Sequence, residues 1–167
     1  DLIPMLWPER YLHSEATRKH YLRGFQILRR YDRLFAISEA TRRDAIEYLG
    51  VHEEKVVNIG CASDPSYFAP SPTPDQRPAD AHQALRRLGI KRPFLLNVGG
   101  EDDRKNVWGV LDGFALLPSD VREGVQLVIT CKYTTNYKNS IISYAQNSGI
   151  SSSLVLTDRV DDEALRC

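Results

Sequence analysis

Short apolar runs alternate with longer, helically spaced segments in the second half of the chain. The runs lie at residues 93–98, 125–130 and 153–156, and the helical segments lie at 106–117 and 136–147. Parallel strands need crossover connections, and helices of this length supply them. The pattern predicts an α/β fold with a parallel sheet, the first part of a Rossmann-like domain. Because the runs are almost continuously apolar, both faces of the sheet are expected to be covered.

The first part of the chain carries a similar pattern with shorter runs. Leu22, Phe25 and Leu28 recur at helical spacing after Ser14, an expected N-cap, and this predicts a helix to about Arg30 with those three residues on one face. Two short buried strands and the helix between them are expected to follow, at residues 33–37, 55–59 and 38–49.

A proline-rich segment separates the two patterns. Four prolines between positions 70 and 78 exclude a helix interior or a central strand. Three parts are therefore expected: residues 1–68, a linker with a short helix at 69–91, and residues 92–167. The last part contains fewer strands than Rossmann-like sheets usually have, so the chain is expected to be truncated.

Composition and charge exclude several classes of protein. The chain has 167 residues, 42% of them hydrophobic, which is typical of a globular protein and not of a disordered one. Its 22 basic and 22 acidic side chains cancel, and this argues against nucleic acid as a partner. No apolar run reaches the roughly 18 residues of a membrane span, and the N-terminus lacks the features of a signal peptide, so a cytoplasmic location is expected.

Metal and disulfide chemistry are not expected either. The three cysteines lie far apart without a CxxC motif, which favours reduced thiols. The four histidines show no pair at the spacing of three or four residues that a helical metal site needs.

Residues 98–106, VGGEDDRKN, hold the most chemically suggestive pattern. They follow a predicted strand and lead into a helix, and in parallel sheets ligands bind at this edge, near helix N-termini. Gly99 and Gly100 would let the backbone approach a ligand, while Arg104 and Lys105 could bind phosphate oxygens. A tight turn with a solvated Arg–Lys pair is the alternative interpretation.

Four segments, in order, resemble one enzyme family. Residues 1–4 (DLIP), 36–42 (AISEATR), 97–106 (NVGGEDDRKN) and 156–165 (LTDRVDDEAL) look like the group 1, family 4 retaining glycosyltransferases of GT-B fold. The similarity extends over essentially the whole chain.

This resemblance implies parts of two Rossmann-like domains, with residues 1–68 on the acceptor side and 92–167 on the side of the nucleotide-sugar donor. Lys105 matches the family's lysine that stabilises the departing diphosphate, and Arg104 lies beside it. The resemblance therefore makes Lys105 and Arg104 the candidate catalytic residues. Gly99 and Gly100 belong to the same donor site. Backbone groups of Arg159 and Val160 match the stretch beside the nucleobase, although that loop is equally consistent with a turn that caps the next helix.

Some family features are changed or missing. Gly100 stands where many relatives have an arginine, and the family's upstream histidine and its Glu-x7-Glu motif are not in residues 1–167. The chain is thus expected to be the central part of a longer enzyme and to lack catalysis when isolated.

The resulting hypothesis is a retaining hexosyltransferase that moves mannose or glucose from a GDP- or UDP-linked donor to a glycan or lipid-linked acceptor, without a metal or other cofactor. A noncatalytic nucleotide-binding or assembly module on the same scaffold is the alternative. Residues 9–33 are rich in Arg and Lys. This segment is interpreted mainly as the polar face of a helix, and a peripheral contact with the inner face of the membrane stays open.

Overall fold

The computed structural model describes residues 2–65, 79–162 and 165. It contains two compact units, Asp1–Phe68 and Ala69–Cys167. Residues 66–78, which include the four prolines of the predicted linker, lie outside the described residues.

The first unit combines helices with a small parallel sheet. Ser14 and Ser38 cap the helices α3 (Glu15–Leu28) and α4 (Glu39–Leu49), and each hydroxyl accepts a hydrogen bond from the backbone N–H three residues later, at 3.1 Å. Gly50 ends α4 in the left-handed region, with φ at 62°. The two strands pair in parallel. The elements are α1 (Ile3–Leu6), α2 (Pro8–Tyr11), α3 (Glu15–Leu28), β1 (Leu34–Ala36), α4 (Glu39–Leu49) and β2 (Val56–Asn58).

The core of this unit is smaller than the sequence pattern predicts. The predicted helix with Leu22, Phe25 and Leu28 is present, but of these three residues Phe25 alone is buried, whereas Leu22 and Leu28 are 36% and 37% exposed. Phe35 of β1 is 69% exposed, because in the described residues α4 packs against the strand pair while the face that carries Phe35 has no cover. The prediction of a short buried strand at residues 33–37 was therefore wrong for the face that carries Phe35.

The second unit contains a three-stranded parallel sheet in the order β3 (Phe94–Val98), β4 (Gln126–Thr130) and β5 (Leu154–Thr157). Neighbouring strands are parallel, and the helices provide the crossovers, as the apolar pattern predicts. The elements are α5 (Ala79–Arg87), β3 (Phe94–Val98), α6 (Val107–Ala115), α7 (Ser119–Gly124), β4 (Gln126–Thr130), α8 (Thr135–Asn147) and β5 (Leu154–Thr157).

Helices cover β4 on both faces. Leu127 and Ile129 pack with Leu111 of α6 and Ile141 of α8, whereas Val128 packs on the opposite face with Leu85 of α5. Successive side chains of a strand point to opposite faces, so all five residues of β4 are buried.

Strand β3 differs from this pattern. Leu95, Leu96 and Val98 are 52%, 45% and 56% exposed, so the prediction that this apolar run is covered on both faces was wrong for the described residues. Within the described residues β3 is an edge strand paired with β4, and the helices that bury β4 leave the side chains of β3 partly exposed. No helix in the described part of the chain is long and apolar enough to cross a membrane.

Candidate functional site

The ends of three strands bring the predicted site residues to one edge of the sheet. Val98 pairs in register with Thr130, and Thr130 pairs with Thr157. The loops that follow β3, β4 and β5 therefore leave the sheet side by side. The predicted residues in these loops are Gly99, Gly100, Arg104, Lys105, Arg159 and Val160.

Gly99 allows the loop after β3 to turn tightly against the core. A Cβ atom there would lie 2.8 Å from the amide oxygen of Asn97 and 3.1 Å from methyl carbons of Ile129 and Val107. The Gly99 N–H donates a 3.1 Å hydrogen bond to the carbonyl of Thr130, which ties the loop to β4. A side chain at this position would require the Asn97 amide and the two methyl groups to shift, so glycine fits it best.

Arg104 is held inside the loop by an acidic neighbour. Its Nη2 atom lies 2.6 Å from Oδ2 of Asp102, and its Nε atom is 3.0 Å from Oδ1. The same carboxylate accepts the backbone N–H of Arg104 at 2.9 Å and so caps the 3-10 turn Asp103–Lys105. The positive charge of Arg104 is thus partly compensated in this structure.

Lys105 follows with an exposed side chain. A Cβ atom added to Gly100 would lie 3.7 Å from Cγ of Lys105, so the lysine stem runs alongside the glycine. Within the described residues, no carboxylate lies within ion-pair distance of the Lys105 ammonium. Its charge is therefore available to an anion.

Helix α6 begins immediately after Lys105. Asn106 takes the left-handed conformation, with φ at 45°, and its Oδ1 accepts the N–H of Gly109 at 3.3 Å. Asn is one of the few residues that tolerate this backbone region and also make good N-caps. A left-handed residue therefore turns the loop directly into the helix, whose first N–H groups favour anions.

A second element that the sequence analysis did not associate with the site also contacts this loop. The backbone N–H of Thr134, the N-cap of α8, donates a hydrogen bond to Oε1 of Glu101. One helical turn later, the hydroxyl of Tyr137 donates a 3.3 Å bond to the carbonyl of Gly100. The sequence offers a signal in Thr134 and Thr135, which precede the predicted helix, and in tyrosines at 133 and 137. Nothing in the sequence, however, identifies the partners of these residues.

Tyr137 belongs to an aromatic cluster between α6 and α8. Trp108 makes edge contacts with Tyr137 and Tyr144, at centroid distances of 5.8 and 5.7 Å. Tyr133 stacks on Tyr137 at 6.4 Å and donates a 2.6 Å hydrogen bond to the Ile129 carbonyl. The cluster thus joins the first turns of both helices.

Burial raises the pKa of Tyr133 and of Tyr137. It is the largest cause that raises the pKa of Tyr133 far above its usual range, and contact with Cys131 adds to it. Burial likewise raises the pKa of Tyr137, with smaller contributions from Cys131 and Glu101. The pKa of the Cys131 thiol is also raised, mainly by burial, so at neutral pH it is a protonated thiol.

The loop after β5 makes separate contacts. The Thr130 hydroxyl donates a 3.3 Å hydrogen bond to the carbonyl of Asp158, and the Lys138 ammonium lies 3.6 Å from the Asp158 carboxylate. Arg159 is exposed and Val160 is half-buried. The described residues contain no group of three His, Cys, Asp or Glu side chains that could hold a metal ion. The expectation that no metal is needed stays a prediction.

Comparison with curated proteins finds relatives of one kind. The chain is 28% identical over 167 residues to the serotype-specific mannosyltransferase WbdA of Escherichia coli, an alignment that covers 99% of this chain and 20% of that protein. Another WbdA sequence is 27% identical over the same length. The chain therefore spans about a fifth of the length of these relatives. No family model matches the chain.

Solved glycosyltransferases share the fold. WaaG, a glycosyltransferase involved in lipopolysaccharide biosynthesis, is 19% identical with a TM-score of 0.61, covering 79% of this chain and 34% of its own. Anabaena Alr3699/HepE, solved with UDP and glucose, is 15% identical with a TM-score of 0.66, covering 94% of this chain and 40% of its own. The predicted fold class, α/β of GT-B type with parallel sheets, is confirmed.

Proposed function

We propose that this chain is part of a glycosyltransferase that moves a hexose from a nucleoside diphosphate sugar to a glycan or lipid-linked acceptor, with retention of anomeric configuration. The observation that carries the proposal is the loop after β3, where the available cation of Lys105 directly precedes the N-terminus of α6. The likeness to a mannosyltransferase over 99% of this chain supports glycosyl transfer and favours mannose. HepE, solved with UDP-glucose, supports glucose as the other candidate.

Lys105 is proposed to stabilise the leaving diphosphate. Negative charge builds on the diphosphate as its bond to the sugar breaks, and a fixed cation beside helix N–H groups stabilises that charge. Arg104 adds a second charge, reduced by its ion pair with Asp102. The Lys105 side chain begins alongside Gly100, with its Cγ 3.7 Å from where a Gly100 Cβ would lie.

The remaining predicted residues are assigned to donor binding. Gly99 lets the loop turn tightly against the core, and Gly100 keeps the backbone beside Lys105 free of a side chain where the diphosphate would approach. The backbone groups of Arg159 and Val160, at the same sheet edge, are proposed to contact a guanine or uracil base. The nucleotide is a substrate in this account, and neither a metal nor a bound cofactor is invoked.

The broader assignments are proposals of the same kind. Residues 1–68 would belong to the acceptor side and 92–167 to the donor side of a longer cytoplasmic enzyme, and residues 1–167 alone would be inactive. A peripheral membrane contact is proposed for the exposed cations of residues 9–33. Arg29 and Arg33 are left out of this proposal, because they bond to the backbone carbonyls of Leu49 and Glu54 within the unit.

The test is a panel of nucleotide sugars, including GDP-mannose and UDP-glucose, with the full-length protein. We expect one donor to be turned over, with a product of the same anomeric configuration, and Lys105→Ala to reduce turnover at least about 10-fold. Lys91→Ala, an exposed lysine before the amino end of β3, serves as the control. An inverted product would contradict retention, and no turnover of any donor would favour the noncatalytic alternative.

A further inference from the structure

The loop Gly99–Lys105 is fixed at two points by the start of helix α8. Glu101 accepts the free N–H of Thr134, and the carbonyl of Gly100 accepts the hydroxyl of Tyr137. A helix leaves its first N–H groups without partners, so Glu101 satisfies one of them and also places a negative charge at the positive end of α8. The loop and the helix therefore stabilise one another.

The aromatic ring of Tyr137 is itself fixed from two sides. Trp108, three residues beyond Lys105 in sequence, contacts one part of the ring edge-on, while Tyr133 stacks on it. Aromatic pairs prefer these edge-on and stacked geometries, so both contacts restrict the orientation of the Tyr137 ring. The packed aromatic cluster therefore orients the Tyr137 hydroxyl towards the Gly100 carbonyl.

We propose that Tyr137 and Glu101 are positioning residues. They hold the loop Gly99–Lys105 in one conformation, so that the loop need not become ordered when Lys105 binds the donor diphosphate. This inference rests on the proposed function. Neither group acts on the ligand directly, because the Tyr137 hydroxyl is directed to a backbone carbonyl and Glu101 to a helix N–H. A site held in place before binding avoids the entropy cost of fixing its loop when the ligand arrives.

The ionisation of Tyr137 is consistent with this role. Burial, followed by the nearby Cys131, Glu101 and Asp103, raises its pKa above the ordinary value of 10.0. The hydroxyl therefore remains a hydrogen-bond donor throughout the physiological pH range.

Tyr137→Phe tests the hydroxyl alone, because it retains the ring and its contacts with Trp108 and Tyr133. Tyr144→Phe is the matched control, since Tyr144 touches the same Trp108 but its hydroxyl bonds to Asp112 of α6. In the full-length protein, we expect Tyr137→Phe to raise the Kd for UDP or GDP about three- to tenfold. Tyr144→Phe should leave this Kd within a factor of two.

Glu101 is tested by a graded pair of variants. Glu101→Gln retains an oxygen acceptor for the Thr134 N–H, whereas Glu101→Ala removes it. We expect the alanine variant to weaken UDP or GDP binding by a factor similar to that of Tyr137→Phe, and the glutamine variant to recover most of the affinity. Equal affinity of the alanine variant and the wild type would overturn the role of Glu101.

A double-mutant cycle with Lys105→Ala distinguishes positioning from a general structural effect. If Tyr137 acts through Lys105, Tyr137→Phe should change the Kd little in the Lys105→Ala background. The same loss in both backgrounds would overturn the inference. If Lys105→Ala weakens binding but Tyr137→Phe does not, the positioning role fails while the proposed function stands. If Lys105→Ala has no effect on binding, the proposed site itself fails.

Discussion

At the scale of single residues, the candidate site depends on two backbone positions, one at each end of the loop that carries Lys105. Gly99 turns beneath the side chains of Ile129 and Val107, and Asn106 adopts a left-handed conformation before α6. The Gly-Gly pair indicates a turn in the sequence. The sequence does not distinguish Gly99 from Gly100, however, because the difference comes from the tertiary contacts of Gly99.

Gly99→Ala should therefore destabilise the second unit. The added methyl group would lie 3.1 Å from buried methyl carbons, and overpacking of this kind costs about 1–3 kcal/mol. Gly113→Ala is the control, because it lies within α6 with nothing within 4 Å and should raise the unfolding free energy by about 0.4–1 kcal/mol. Urea unfolding measures both, and a stable Gly99→Ala variant would refute the tight contact.

Asp102→Asn changes the charge of the loop with little change in shape. The amide oxygen of Asn can still accept the Arg104 N–H that Asp102 accepts at 2.9 Å. Removal of one negative charge beside an anion site should lower the Kd for UDP or GDP about two- to fivefold, and less in high salt. Calorimetric titration at two salt concentrations measures this, and weaker binding would mean that the ion pair serves to aim Arg104.

At the scale of elements, apolar periodicity predicted the central helices and strands of the second unit well. α6, α8 and β4 lie where the pattern places them. Their buried residues are spaced as in a helix or form a continuous apolar run, and this spacing is visible in the sequence. The aromatic cluster between α6 and α8 was not predicted. Its contacts join Trp108 to Tyr137 and Tyr144, which are about 30 positions away, and single-sequence periodicity carries no information on such pairs.

The cluster should give the second unit a characteristic sensitivity to alkaline pH. The pKa of Tyr133 is raised in the folded state, so the unfolded state loses its proton first as pH rises above about 10. The stabilisation from protonated Tyr133 is complete below that pH and is lost as pH rises towards the folded-state pKa.

Tyr133→Phe isolates this effect, because phenylalanine has no proton to lose. Urea unfolding above pH 10 should show a smaller decline in the unfolding free energy for the variant, by up to about 1.4 kcal/mol per pH unit. Identical slopes for variant and wild type would contradict the burial of the Tyr133 hydroxyl.

At the scale of the whole molecule, the sequence predicted the parallel α/β class but not which strands are covered. The runs of β3 and β4 are both apolar, yet β4 is buried and β3 is largely exposed. The sequence of a strand does not specify its neighbours in a sheet, so an edge strand and a central one have the same pattern here.

Expressed alone, residues 1–167 should bind an apolar fluorescent dye through these uncovered faces. Leu95→Ser should reduce dye binding while changing the unfolding free energy by less than about 0.5 kcal/mol, since Leu95 is 52% exposed. Leu127→Ala, at a residue 1% exposed, should cost about 2–5 kcal/mol. A large stability loss in Leu95→Ser would indicate that this face is covered.

The central claim is that Lys105 binds the donor diphosphate, and calorimetric titration of the full-length protein with UDP and GDP tests it most directly. Lys105→Ala should raise the Kd of the preferred nucleotide about 10- to 100-fold, because a charge-assisted contact is lost. Lys91→Ala removes the same charge before the amino end of β3 and should leave the Kd within a factor of two. Equal Kd values for Lys105→Ala and the wild type would contradict the account.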